Sequence, residues 1–92
     1  MNFTVPCPPA GPTAIVEFGF DDLVALQNAF GDGYAMTIAS KLRQNDAAAL
    51  RTCLTIGGHG GDFDAAMRAT PYQELAEFVG QALTLRLVGN AE

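Results

Sequence analysis

Cations are scarce in this chain: 5 Lys and Arg stand against 10 Asp and Glu, for a formal net charge of −5. A nucleic-acid binder needs a basic stripe to neutralise phosphates, so the composition argues against that class. Histidine and cysteine are nearly absent as well. The one histidine is His59, the cysteines are Cys7 and Cys53, and no CxxC, HxxH or HExxH spacing exists. Three or four convergent donors are needed to hold a metal, so neither a metal nor a cofactor is expected. Two distant cysteines make no disulfide framework and read as reduced thiols in a reducing compartment. No stretch approaches the ~20 uninterrupted apolar residues of a membrane span. The first eleven residues carry neither a basic run nor a long apolar one, unlike a secretory or transit signal. The expected location is cytoplasmic, with no membrane partner.

What is present is an apolar content of 49% in 92 residues, enough for one folded domain, 1–92, with a modest core. Residues 1–12 hold Pro6, Pro8, Pro9 and Pro12. Proline fixes φ and removes a backbone donor, so this segment is expected to be an extended, flexible leader. The β-branched and aromatic run at 13–18, T-A-I-V-E-F, predicts one short strand.

From Asp21 the apolar period becomes helical. Leu23, Leu26 and Phe30, closed by Gly31, predict a helix over 20–30 with Asp21 and Asp22 at its positive end. Tyr34, Ile38 and Leu42 predict a second over 34–43. Asn45 or Asp46 can cap a third, with Ala47, Leu50, Cys53 and Leu54 on its buried stripe and a stop at Gly57-Gly58. The run G-G-H-G-G at 57–61 is expected to be a flexible connector, followed by a helical turn over 62–68. Thr70, Pro71 and Gln73 form a start signal of the capping-box type. Residues 83–87 alternate like a strand, yet no breaker separates them from the preceding pattern, so one helix over 71–88 is expected. The fold class is therefore mainly α: a bundle of three to four helices with a short N-terminal strand segment. The alternative is an α+β domain with a small sheet.

Catalytic constellations are hard to assemble. His59 reads as a solvent-facing loop residue, and Cys53 as core between Leu50 and Leu54. The glycine run lacks the Lys-Ser/Thr that a phosphate loop requires, and Asp62 beside it repels a phosphate. The pairs Asp21/Asp22 and Asp62/Asp64 stand at helix starts, where capping and the helix dipole account for them. Protein binding without catalysis is the expectation. The apolar surface of the last helix is wider than a small core needs, so Leu75, Phe78, Val79, Leu83 and Leu87 form the candidate binding patch, unless they only fill the core. Phe63, between two acids beside the glycine run, is either a plug that docks back or a further contact.

Residues 20–56 resemble small tail-assembly proteins of long-tailed phages, including those of gene transfer agents. The pattern is carried by F-D-D-L-V-A-L-Q-N-A-F-G at 20–31, a helix of the form L-x-x-L-x-x-x-x-G. The stripe Ile38-Ala39-Ser40-Lys41-Leu42 follows, then the polar joint Gln44-Asn45-Asp46 and an A-L-R-x-x-L helix from Ala49 to Leu54. A glycine-rich break and a last amphipathic helix complete it. Such proteins often begin with a two-stranded hairpin, of which one strand is legible here, and often carry Glu where this chain has Gln27. The resemblance implies a tail assembly chaperone in the bacterial cytoplasm. It would coat the tape-measure protein, or another tail protein, in several copies, and could form a homo-oligomer. Acidic charge over apolar patches suits that role. The competing readings are a small acidic inhibitor or DNA mimic, and an enzyme or ligand-binding subunit built around Cys53, His59 and Asp62/Asp64.

Overall fold

A computed structural model describes residues 3–89. It is mainly helical, with five α-helices and a small three-stranded antiparallel sheet among the described residues. The expectation of a single short strand is corrected. β1 (Val5–Pro6) and β2 (Ile15–Val16) form a hairpin with Val5 opposite Val16. β3 (Gly58–His59) then adds to the free edge of β2, with Ile15 opposite His59. Pro6 is tolerated because β1 is an edge strand, where its missing N–H takes nothing from the ladder.

The expected flexible leader is corrected over residues 3–12, and Met1 and Asn2 lie outside the described residues. Val5 stands just before the first proline and Cys7 and Ala10 between the others, and all three are buried. Backbone donors of the segment are met locally at two of these residues. Cys7 N–H donates to Ala14 O at 2.9 Å, and Ala10 N–H to Cys7 O at 3.0 Å across a 3-10 turn, Pro8–Ala10. Proline here stiffens a packed strand and turn. On β2 and its flanks the period of two is plain: Ala14, Val16 and Phe18 point into the core, while Ile15 and Glu17 are half-buried.

The helices begin and end close to where the apolar periods place them. α1 (Phe20–Phe30) starts with Gly19 N–H donating to the Asp22 carboxylate at 2.8 Å. Gly31 and Gly33, both at positive φ, turn the chain into α2 (Tyr34–Arg43). Asp46 caps α3 (Ala47–Gly57), accepting from Ala49 N–H at 3.0 Å. The joint before it also anchors the last helix: Tyr72 Oη donates to Asp46 O at 2.8 Å, and Gln73 Nε2 to Asn45 Oδ1 at 3.0 Å.

The glycine run is a close-packed seam, which corrects its reading as a flexible connector. Gly57 closes α3 and Gly58 lies in β3. A Cβ on Gly57 would stand 2.5 Å from the Phe18 ring, one on Gly58 2.5 Å from Leu54 O, and one on Gly61 2.5 Å from Ala10 O. Glu17 N–H donates to Gly57 O, and Asp62 N–H to Ala10 O, both at 2.9 Å. Glycine is needed here for close backbone approach rather than for freedom.

α4 (Phe63–Ala69) is capped by Asp62, which accepts from Ala65 N–H at 3.0 Å. α5 (Tyr72–Val88) is one continuous helix, so 83–88 is helical and ends at Gly89 in the left-handed region. The expected capping box is not formed. Thr70 follows α4 as its C-cap, Pro71 precedes α5, and the Gln73 amide is bonded to Asn45 instead. α5 packs on α3, α2 and the hairpin. Leu75, Val79, Ala82 and Leu83 meet Leu50, Cys53, Leu54, Leu26, Ile38, Val16 and Phe18 in one core.

A candidate binding groove between two helices

The predicted patch on α5 divides when placed in the fold. Leu75, Val79 and Leu83 are 1%, 0% and 7% exposed, so they are core and cannot form an outward docking face by themselves. The reason is positional: with spacing i, i+4, i+8 they lie on the one stripe of α5 that faces α3 and the sheet. Phe78 is half-buried against the same core, as is Phe63, whose ring lies 3.0 Å from where a Gly58 Cβ would stand. Phe63 has docked back as a plug. Leu87 alone of the six is exposed, at 43%.

An apolar groove does exist, beside that stripe. α2 and α5 pack side by side and leave a cavity of about 190 Å³ between them. Ala35, Ile38, Ala39 and Leu42 line it from α2, and Gly80, Leu83, Thr84 and Leu87 from α5. Ile38 and Leu83 form its floor, since both are buried. Small residues leave it open: a Cβ on Gly80 would meet no atom within 4 Å. A second depression shares Leu42 with this groove and is lined otherwise by Arg43, Pro71, Gln73, Glu74, Ala76 and Glu77. Met36, Leu87 and Val88, at 81%, 43% and 71% exposed, are large apolar side chains on the two helices that border the groove. On another flank of α5 the Arg86 guanidinium stacks over the Phe3 ring at 4.8 Å, a cation–π contact with the N-terminal segment.

Sequence reasoning missed Ala35, Ala39, Gly80 and Thr84. Gly80 was the available signal. A glycine inside a helical pattern weakens the helix and wants a packing or functional reason.

The titratable groups with shifted pKa values are two buried thiols, a phenol and a helix-cap carboxylate. Burial pushes the Cys53 thiol up to about 12, and burial also raises Cys7, so both stay protonated at neutral pH. Burial, then the nearby Asp46 and Cys53, raise the Tyr72 phenol. Asp46 is lowered, first by the Ala49 N–H bond and also by Lys41 at 3.5 Å. His59 is exposed on β3 while Cys53 is fully buried, which leaves no accessible Cys–His pair. Among the described residues no three His, Cys, Asp or Glu side chains converge as metal ligands, and no helix is long and apolar enough to cross a membrane.

Comparison with protein-family models, curated proteins and solved structures finds no match.

Proposed function

We propose that this chain is a tail-assembly-chaperone-like protein of a phage or prophage. It binds an apolar helix face of the tape-measure protein, or of another tail protein, and catalyses nothing. The observation that carries the reading is the open groove between α2 and α5. It is apolar on its floor, lined by Ala35, Ala39 and Gly80, and bordered by helices that expose Met36, Leu87 and Val88. A groove between two helices is a common seat for an amphipathic helix, which lays its apolar stripe into it. The net charge of −5 keeps such a cover soluble and steers it towards cationic clients. The β1–β2 hairpin adds the second strand that proteins of the resembled class often have at their start. The acidic-inhibitor reading gains less support, because Asp22, Asp46 and Asp62 each accept backbone N–H bonds at helix starts and do not form a stripe.

The test is co-expression of a tagged copy with any tape-measure protein encoded beside its gene, followed by pull-down at moderate salt. A complex that forms with the wild type and is lost with Gly80→Leu supports the reading, since a Cβ here meets no atom of this chain within 4 Å and the larger side chain takes up space in the groove. Asp at Val79 or Leu83 is the wrong probe, because it would put a charge in the core. If the Gly80→Leu variant folds and still captures the client in full, the groove is not the seat.

A further inference from the structure

The α2/α5 groove and the depression that adjoins it at Leu42 differ in charge, and the difference speaks to what lies there. The groove itself is lined by no charged residue. The adjoining depression carries Glu74 and Glu77 on α5 and Arg43 on α2. All three side chains are exposed, and none makes an ion pair within 4 Å among the described residues. The surplus carboxylate therefore lies in the adjoining depression only. A second copy of this chain would bring the same carboxylates and another net charge of −5 to that surface, and like charges across an interface oppose association. Gly80 adds a separate indication. Glycine in a helix interior costs roughly 1 kcal/mol relative to Ala, and no neighbour in this chain needs the gap it leaves. The gap is open space that would let another backbone come close. α2 has 10 residues, so the trough beside it runs about 15 Å, close to three helical turns.

We infer that the groove receives a single amphipathic helix of about three turns, carrying Lys or Arg at the end that lies against Glu74 and Glu77. This rests on the helix-binding reading above and adds the chemistry of the partner.

The experiment uses the full chain and two labelled synthetic peptides of about 20 residues. Both carry one Leu/Ala apolar stripe, and they differ only in three terminal residues, Lys in one and Glu in the other. Fluorescence anisotropy at low salt should show the Lys-ended peptide binding about tenfold more tightly, a preference that shrinks as salt is raised towards ~1 M. The variant Glu74→Gln/Glu77→Gln should lose the preference while still binding the Glu-ended peptide. Gly80→Leu, checked for folding by circular dichroism, should bind neither. Equal affinity of the wild type for both peptides, with both blocked by Gly80→Leu, would overturn the charge inference and leave the helix-binding reading standing. Absence of binding by the wild type, or binding indifferent to Gly80→Leu, would overturn both. Sedimentation showing a wild-type dimer that Gly80→Leu dissociates would make a second copy the occupant and overturn the inference.

Discussion

Replacing Gly80 with Ala should make the protein more stable. Gly80 lies in the middle of α5, a helix of 17 residues, and its φ is not among the positive ones. A Cβ there meets no atom within 4 Å, so no steric cost opposes the change. What remains is the backbone entropy that glycine loses in a helix, worth about 0.5–1 kcal/mol in favour of Ala. For a domain of this size that corresponds to a rise in Tm of roughly 2–8 °C. Thermal and urea unfolding followed by circular dichroism would measure it, with unchanged urea dependence as the sign that the unfolded state is comparable. A variant no more stable than the wild type would mean that the space beside Gly80 is already filled, and the groove with it. The glycine run predicts the opposite sign for the same chemical change, which makes the comparison internal to one molecule.

Gly61→Ala should destabilise by roughly 1–3 kcal/mol, the usual scale of overpacking, because its Cβ would stand 2.5 Å from Ala10 O and 2.6 Å from Ala14 Cβ; urea midpoints would show it. Asp46 has a lowered pKa in the fold, so it contributes stability above its unfolded value, near 3.9, and that contribution is lost as pH falls through the folded value. Acid unfolding below about pH 4 should accordingly flatten in Asp46→Asn, which keeps a capping oxygen but no longer titrates. Cys7 and Cys53 are both 0% exposed; a thiol reagent should label neither at neutral pH in the native protein and both in urea, and rapid native labelling would contradict their burial.

Most of the helical framework was legible because its signals are local. The stripes Leu23/Leu26/Phe30 and Tyr34/Ile38/Leu42, the glycines at 31 and 89 and the Asp46 cap act within a turn or two of themselves. The sheet was not, because it is made by contacts distant in sequence. Val5–Pro6 becomes a strand only by pairing with Ile15–Val16, and Gly58–His59 only by reaching β2. A run of four glycines around one histidine looks mobile until Phe18, Thr13, Ala10 and Ala14 are seen to close on it. The candidate patch divided for a related reason. A stripe such as Leu75/Val79/Leu83 marks the most apolar face of a helix, and that face is the first to be buried. The groove beside it is written in small residues, Ala35, Ala39 and Gly80, whose meaning depends on which helix lies opposite.

Mapping amide chemical-shift changes by NMR, as helical segments of a candidate tape-measure client are added to the labelled chain, tests the central claim most directly. Changes concentrated on α2 from Ala35 to Arg43 and on α5 from Glu74 to Leu87 are the predicted result. Changes concentrated elsewhere, on the outer face of α1 at Phe20 and Val24 or around β3 and α4, with the α2/α5 groove undisturbed, would contradict it.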